Sequence, residues 1–444
     1  MSSTNGLPSI LWVTPCAANS AIGRYSALVT GELVRAGYHV TVTASDMPSD
    51  SRIKRHDYGK IEIREFDDFS NYAQKCGIII YNIGNNFNFH GRILDSLVQH
   101  PGIGIFHDVY LYDLFYGYLS HKGQLNQHDA LVRALYGEDI PLQPAPPFDA
   151  SKILEHRYNH YPMLKWLTPR VIGGISHARF GCDLLAPQCT GPVQHIPLAY
   201  SIDQWRTTKK KALPRISGKT RITVFGDINP NKRVDSIIQA ISSEERLRHS
   251  LTLSLVGKIV KSERIRLERL TKDLGIDIDI VGEADDRTYA SYLMGTDIVS
   301  CLRYPTTESA SATCIEAMLA GKPTLVTDTG FYKDLPDDLV FKIAIETEHQ
   351  SLVQALLKII SNDYYIAAVG NSISAWAEKT FAPAQYSRKL GQYINSVSVA
   401  LPISETAFSL GRTTSMLRLH PSDFFVRKWA ATAAFGLMLW CVAT

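Results

Sequence analysis

The chain has 444 residues, enough for two or three domains that each bury a core of their own. Hydrophobic residues make up 45% of it and charged residues 20%, which is typical of globular proteins and argues against disorder and against a multi-span membrane protein. Lysine and arginine exceed aspartate and glutamate by only three, so charge gives no reason to expect a nucleic-acid partner.

The seven cysteines are odd in number and include no CxxC pair. This usage fits reduced, mostly buried thiols better than a disulfide framework or a zinc site. The N-terminal sequence has no basic region and no long apolar run before the first predicted strand, so it does not resemble a secretory signal. We therefore expect a cytoplasmic protein.

Short aliphatic and β-branched runs alternate with helical patterns along the chain, which predicts an α/β fold built from βα units on parallel sheets. Residues 1–205 form the first predicted domain, a doubly wound, Rossmann-like sheet with strands at Ile10–Thr14, His39–Thr43, Gly77–Asn82, Ile103–Phe106, Val171–Ile175 and Val193–Ile196. The segment of about 108–165 is rich in Tyr, Phe and His and is predicted to be a helical insertion in this domain. Either it meets a ligand or a membrane surface, or its aromatic residues form an ordinary helical core.

Residues 206–221 combine a basic run with Pro and Gly and show no hydrophobic periodicity, which predicts an interdomain linker. A second Rossmann-like sheet follows in residues 222–398, with strands at Ile222–Phe225, Thr252–Val256, Ile276–Val281, Ile298–Cys301, Thr324–Thr327 and Leu339–Phe341. Two such sheets enclose a cleft, and ligands of these folds bind at the carboxyl ends of the strands. The cleft is therefore the candidate active site.

The tail, residues 399–444, ends in an apolar run that follows Arg427 and Lys428. This run is shorter than the about 20 residues that cross a membrane as a helix. Three alternatives remain open for the tail: an interfacial membrane helix, packing on the body or on another chain, and a disordered end.

Glu308 and Glu316 are separated by seven residues in the most informative segment of the chain. A helix beginning near Ser309 would hold the first carboxylate at its mouth and the second about two turns inside. The small residues Ser309, Ala310 and Ser311 leave backbone N–H groups free at the positive end of that helix, which suits a diphosphate. Without the surrounding sequence, the spacing would indicate only a helix cap at Glu308 and a solvated helix residue at Glu316.

In its context the segment resembles the E-x7-E donor motif of glycosyltransferase family 4, a group of retaining nucleotide-sugar transferases with the GT-B fold of two facing Rossmann-like domains. The resemblance implies that Glu308 contacts hydroxyls of the donor sugar and that Glu316 contacts the ribose of the nucleotide. It also implies that the backbone of residues 309–311 lies against the diphosphate.

A second motif, Val224–Ile241, predicts a strand, a Gly-containing turn and a helix that begins near Lys232. Cations at such a turn can neutralise a diphosphate leaving group, although a Lys-Arg pair in a first helical turn is commonly just solvated. The resemblance implies the first role for Lys232. The family often has an arginine five residues earlier, where this chain has Asp227, so one donor contact is lost or is taken by Arg233.

In the N-terminal domain, Gly23 follows the first predicted strand at a turn where a backbone can approach a phosphate or a sugar closely. The GT-B pattern has a glycine-containing loop facing the donor here, which implies donor contacts for Ile22, Gly23 and Arg24. A simple tight βα turn is the alternative.

Polar residues also follow two later strands of the first sheet, Asn85 with Asn86 and His107 with Asp108. His107 is expected to bond the donor sugar or to orient the acceptor, unless it is a structural histidine. The His-Asp pair, a GNN sequence and a YG pair resemble a subset of family 4 enzymes that act on bacterial glycans, and this wider resemblance covers residues 8–396.

We expect no metal or other cofactor, because Lys232 and a helix N-terminus can supply the positive charge that a divalent ion supplies elsewhere. The motifs of GxSxG hydrolases, P-loop NTPases and HExxH metalloproteases are absent from the sequence. The sequence thus predicts a hexosyltransferase that uses a GDP- or UDP-linked sugar and acts on a glycan or lipid-linked saccharide in polysaccharide biosynthesis, with peripheral contact to the inner membrane. The alternative is a catalytically silent GT-B subunit that binds a glycan or scaffolds a partner enzyme, a reading that Asp227 favours.

Overall fold

The computed structural model describes residues 6–47, 54–144, 150–203, 213 and 218–398. Most of the predicted linker and the whole predicted tail lie outside these residues. The described chain forms two parallel sheets flanked by helices, which confirms the prediction of an α/β fold with two Rossmann-like units.

The first sheet consists of β1 (Ile10–Thr14), β2 (Val40–Ala44), β3 (Glu62–Arg64), β4 (Ile78–Ile83), β5 (Ile103–Phe106), β6 (Gly173–Ser176) and β7 (Val193–His195). Its spatial order is β3-β2-β1-β4-β5-β6-β7. All five residues of β1 are buried, as expected for a strand that helices cover on both faces. The order reverses between β1 and β4, and this switch point opens a crevice at the carboxyl ends of the strands.

The helices of this half are α1 (Ala21–Arg35), α2 (Phe69–Ala73), α3 (Phe87–His90), α4 (Ile93–Gln99), α5 (Tyr112–His121), α6 (His128–Tyr136), α7 (Ala150–His160), α8 (Leu164–Leu167) and α9 (Arg179–Leu185). Helices α5 to α8 occupy the segment between β5 and β6, where the sequence predicted a helical insertion. Strand β3 was not predicted, because it is only three residues long, contains two charged residues and is partly exposed at the sheet edge.

The second sheet consists of β8 (Thr220–Phe225), β9 (Leu251–Val256), β10 (Ile278–Gly282), β11 (Ile298–Cys301), β12 (Thr324–Thr327) and β13 (Phe341–Ile343). Its order, β10-β9-β8-β11-β12-β13, repeats the pattern of the first sheet with β8 and β11 at the switch point. The helices of this half are α10 (Val234–Ser243), α11 (Glu245–Ser250), α12 (Lys261–Asp273), α13 (Asp286–Gly295), α14 (Ala312–Leu319), α15 (Glu348–Ile360) and α16 (Asp363–Thr380).

A last helix, α17 (383–398), returns to the first sheet. The Tyr393 hydroxyl donates a 2.7 Å hydrogen bond to Pro192 O, beside β7, and the Tyr386 ring lies 5.4 Å from that of Tyr25 on α1. Residues 222–398 were predicted to form the second domain as a whole. In the structure, buried residues of α17 share a hydrophobic cluster with strands of the first sheet as well as with the second half, so α17 packs across the predicted boundary.

No helix among the described residues is long and apolar enough to cross a membrane. The six cysteines in the described part of the chain are free thiols.

Candidate active site

Two adjoining cavities lie in the cleft between the sheets, at the carboxyl ends of the central strands. The first, here called the Glu308 cavity, is lined from the N-terminal half by His107 and Asp108 and from the C-terminal half by Arg303 and Glu308. The second, the Glu316 cavity, is lined by Arg24, Tyr200, Gly226, Asp227, Tyr289 and Glu316. Ala21, Tyr200 and Ala312 line both cavities, so one ligand can extend from one into the other.

A short backbone bridge joins the two halves of the chain at the Glu308 cavity. Val109 N donates to Thr307 O at 2.9 Å, and Ser309 N donates to His107 O at 2.8 Å. Asp108 and Glu308 are therefore directly opposite each other in an antiparallel bridge. This contact brings two polar segments that are about 200 residues apart in sequence into one cavity wall.

The carboxyl group of Asp108 is unusually basic. Its Oδ2 accepts a 2.8 Å hydrogen bond from Asn85 N, which fixes its orientation. Burial, followed by the charge of Glu308, raises the pKa of Asp108 to about 7. Near neutral pH this group is therefore close to half-protonated and can give or take a proton in the cavity.

His107 lies in a row of close polar contacts within the N-terminal half. Its Nε2 lies 3.1 Å from Asn82 Oδ1, and its Nδ1 lies 3.3 Å from Nε2 of His177, whose Nδ1 lies 2.9 Å from Ile196 O. Burial lowers the pKa of both rings, that of His177 to about 4, so both are neutral at pH 7. A direct hydrogen bond from His107 to a ligand requires one of these contacts to change.

Glu316 is almost buried, with 6% of its side chain exposed, in the wall of the Glu316 cavity. Tyr200 donates to its Oε1 at 2.5 Å, Tyr289 donates to its Oε2, and a guanidinium nitrogen of Arg24 lies 4.0 Å from Oε1. The predicted acceptor of ribose hydroxyls is thus occupied by two tyrosine hydroxyls in this structure.

Helix α14 begins three residues later than the sequence predicted. Ser309 is not its first residue, because the Ser309 hydroxyl donates to Phe106 O at 2.6 Å and its N–H joins the interdomain bridge. Ser311 caps the helix instead, accepting from Cys314 N. Ala310 and Ser311 line the Glu308 cavity, so the positive end of the helix faces it, whereas the polar groups of Ser309 are not available there.

Lys232 ends a single 3-10 turn, Pro230–Lys232, and α10 begins two residues later at Val234, close to the predicted start. Its ammonium group donates to Phe225 O and lies close to the Gly226 turn, where an added Cβ would be 3.0 Å from Nζ. Burial and the neighbouring Arg303 lower the pKa of Lys232 to about 8.

Arg233, predicted as one possible donor contact, is paired with Glu348 and is not among the residues that line the two cavities. Its guanidinium group forms two hydrogen bonds with Glu348 at the start of α15. The residue itself has a positive φ of 57°, which turns the chain between the 3-10 turn and α10.

Gly23 lies inside the first turn of α1 rather than in a loop that faces the cleft, contrary to the sequence prediction. An added Cβ would lie 2.6 Å from Pro15 O, so glycine is needed there for packing. Its neighbours Ile22 and Arg24 do line the cavities. Asn85 and Asn86 act within the N-terminal half, because Asn85 Oδ1 accepts from Asp113 N and Asn86 Oδ1 accepts from Asn88 N.

The sequence analysis did not name several residues that line the cavities, among them His177, Tyr200, Tyr289 and Arg303. His177 and Arg303 had a usable signal, because each lies two residues after the end of a predicted strand. Within the described residues, no group of three or more His, Cys, Asp or Glu side chains could hold a metal ion.

Comparison with known proteins bears on both halves of the chain. Residues 206–376 match the family model described as "Glycosyl transferases group 1". No curated protein sequence matches the chain.

Solved structures resemble the chain over most of its length. HepE of Anabaena, in complex with UDP, is 13% identical with a TM-score of 0.57, over 87% of this chain and 100% of its own. Sucrose-phosphate synthase of Thermosynechococcus elongatus is 16% identical with a TM-score of 0.58, over 88% of this chain and 99% of its own. WaaG, a glycosyltransferase involved in lipopolysaccharide biosynthesis, is 16% identical with a TM-score of 0.54, over 87% of this chain and 99% of its own.

At these identities the structural likeness establishes the fold, and the family model establishes the class of enzyme. The chain is a glycosyltransferase with the GT-B fold.

Proposed function

We propose that this protein is a retaining glycosyltransferase of family 4 that transfers a hexosyl unit from a nucleoside diphosphate sugar to a hydroxyl of a glycan or lipid-linked saccharide in polysaccharide biosynthesis. The observation that carries the proposal is the pair of adjoining cavities. Each has one of the two predicted glutamates in its wall, and the N-terminus of α14 lies where they meet.

The donor would span both cavities. In the Glu316 cavity the ribose hydroxyls would replace the tyrosine hydroxyls as donors to Glu316. The diphosphate would lie at the N-terminus of α14, where free N–H groups and the helix dipole favour an anion, within reach of Lys232. The sugar would then lie in the Glu308 cavity, where Glu308 would accept hydrogen bonds from its hydroxyls.

In the reaction, the bond between the anomeric carbon and the diphosphate oxygen breaks, and its electron pair stays on that oxygen. The acceptor oxygen bonds to the same face of the sugar and its proton passes to the departing phosphate. The buried ammonium of Lys232 stabilises the charge that develops on the leaving group, an electrostatic effect that is largest where water is excluded. Because the protein supplies this charge, we propose that no metal ion is needed.

The N-terminal half, residues 1–205, would provide the acceptor site, and the helical insertion around α5 to α8 would form its outer wall. UDP is the first nucleotide to test, because HepE was determined with UDP and with UDP-glucose, and GDP remains the alternative. A cytoplasmic location with peripheral contact to the inner membrane completes the proposal, supported by the free thiols of the described residues.

The test is a panel of UDP- and GDP-sugars, without added metal and again with EDTA, assayed by thermal shift and by release of nucleoside diphosphate. We expect one nucleotide class to stabilise the protein and to be turned over. Glu316→Gln should abolish the shift, whereas Glu268→Gln, which alters an exposed ion pair with Arg264 on α12, should not. The anomeric configuration of the product, read by NMR, decides between retention and inversion.

A catalytically silent subunit is the second candidate, favoured by Asp227 in the wall of the Glu316 cavity, where the family often has an arginine. Such a subunit would show neither transfer nor hydrolysis with any nucleotide sugar. Turnover that depends on Lys232 excludes it.

A further inference from the structure

Arg303 is a buried cation that is not among the ligands of the donor site proposed above. It lies two residues after the end of β11, and its N–H donates to Thr327 Oγ1 at 2.9 Å, which fixes the backbone at the cavity wall. Its side chain is only 13% exposed, and its guanidinium group forms an ion pair with Glu308. A buried guanidinium requires such a partner, and here the partner is itself a proposed ligand of the sugar.

A second cation lies beside it. The charge of Arg303 contributes to the lowered pKa of Lys232, so the two groups are close enough to repel each other in a region of low dielectric. Glu308 and Asp227 both act on Lys232, and Asp108 is about half-ionised near neutral pH because burial and Glu308 raise its pKa to about 7. The positive charge open to an anion in the Glu308 cavity therefore comes from Arg303 when Glu308 is not paired with it, and from the N-terminus of α14 in the same wall.

A diphosphate is an anion of suitable charge and shape for this wall. A guanidinium group can bind two phosphate oxygens at once through parallel N–H groups, which an ammonium group cannot do. The turn before Lys232 supplies no cation for this task, because it carries Asp227, and Arg233 is engaged by Glu348.

We propose that Arg303 binds the diphosphate of the donor together with Lys232, and that Glu308 turns from Arg303 toward the sugar when the donor binds. This inference rests on the proposed function and names a ligand of the same site. As the glycosidic bond breaks, Arg303 would hold the β-phosphate oxygen that receives the electron pair.

The experiment measures the dissociation constants of UDP, UMP, GDP and GMP by calorimetry for the wild type, Arg303→Gln and Arg303→Lys. With the preferred base, we expect Arg303→Gln to weaken the diphosphate by about 10- to 100-fold and the monophosphate by less than about threefold. Arg303→Lys should recover part of the loss. Arg264→Gln, which removes an arginine of an exposed ion pair on α12 outside the cavities, should leave the diphosphate affinity unchanged.

If Arg303 only holds Glu308 in place and does not bind the diphosphate, the nucleotide affinities change in a different way. In that case Arg303→Gln would weaken both nucleotides equally or neither of them, and this result overturns the proposal. The double variant Arg303→Gln/Glu308→Gln leaves no unpaired carboxylate, so it keeps the test valid if the single variant does not fold. If the wild type binds neither UDP nor GDP, the proposed function fails too, whereas wild-type binding with an unaffected Arg303→Gln overturns only the role of Arg303.

Discussion

Replacing Tyr289 by phenylalanine should destabilise the free protein and yet strengthen nucleotide binding. The Tyr289 hydroxyl donates to Glu316, and burial together with Glu316 raises its pKa well above 10, so it remains a proton donor at any physiological pH. A hydrogen bond to a charged group is worth about 1.5–3 kcal/mol, which is the loss expected in the free energy of unfolding. If the ribose must displace this hydroxyl, the same energy is regained on binding, equivalent to an about 10- to 100-fold lower dissociation constant.

The assay is urea unfolding with and without saturating UDP or GDP, combined with calorimetry. Tyr292→Phe is the matched control, because it lies on the same helix, α13, and its hydroxyl donates to Asp279 at the surface, 2.6 Å away. The control should lose less than about 1 kcal/mol and should not change nucleotide affinity. Weaker nucleotide binding by Tyr289→Phe would refute the reasoning, since Tyr289 would then be a ligand of the nucleotide and not its competitor.

Three further predictions follow from buried ionisable groups. Lys232→Met should lower kcat by about 100- to 1,000-fold, the cost of losing one transition-state contact. It should also remove the decline in kcat/KM expected above pH 8, where the wild-type ammonium loses its proton. Asp108 has a raised pKa, so its stabilising contribution is complete below pH 4 and is lost as the pH rises through about 7; in urea unfolding, Asp108→Asn should lose less stability over that range than the wild type. His177 has a pKa lowered to about 4, so its contribution is present above pH 6.5 and is lost on acidification; His177→Gln should lose less stability than the wild type between pH 6.5 and 4.

The central strands were predictable because they are short aliphatic runs that helices bury on both faces. The predicted bounds of Ile10–Thr14 and Ile298–Cys301 agree with the structure at both ends. The polar edge strand Glu62–Arg64 has no such signal. Edge strands need only backbone partners, so neither hydrophobicity nor alternation reveals a strand of three residues.

The site was less predictable, because its polar contacts join distant parts of the chain. Local rules start a helix near Ser309, but that residue hydrogen-bonds to Phe106 and His107 in the other half, which delays the helix to Ala312. The link between Tyr200 and Glu316 spans 116 residues and depends on how the two halves pack. No spacing in the sequence encodes it.

Tyr200 also connects the nucleotide site to the segments that pass between the two halves. Its N–H donates to Phe381 O at 2.9 Å, so the backbone that leaves the first sheet is bonded to the backbone that returns to it ahead of α17. Its hydroxyl meanwhile donates to Glu316. A ligand that displaces the Tyr200 hydroxyl from Glu316 therefore acts at the place where the two chain segments pass between the halves. A small rotation there produces the largest movement of the distant cavity walls. The bridge of Val109 and Ser309 across the cleft consists of two backbone hydrogen bonds and the bond from the Ser309 hydroxyl to Phe106 O, worth about 1 kcal/mol each, so it can open and close within a catalytic cycle.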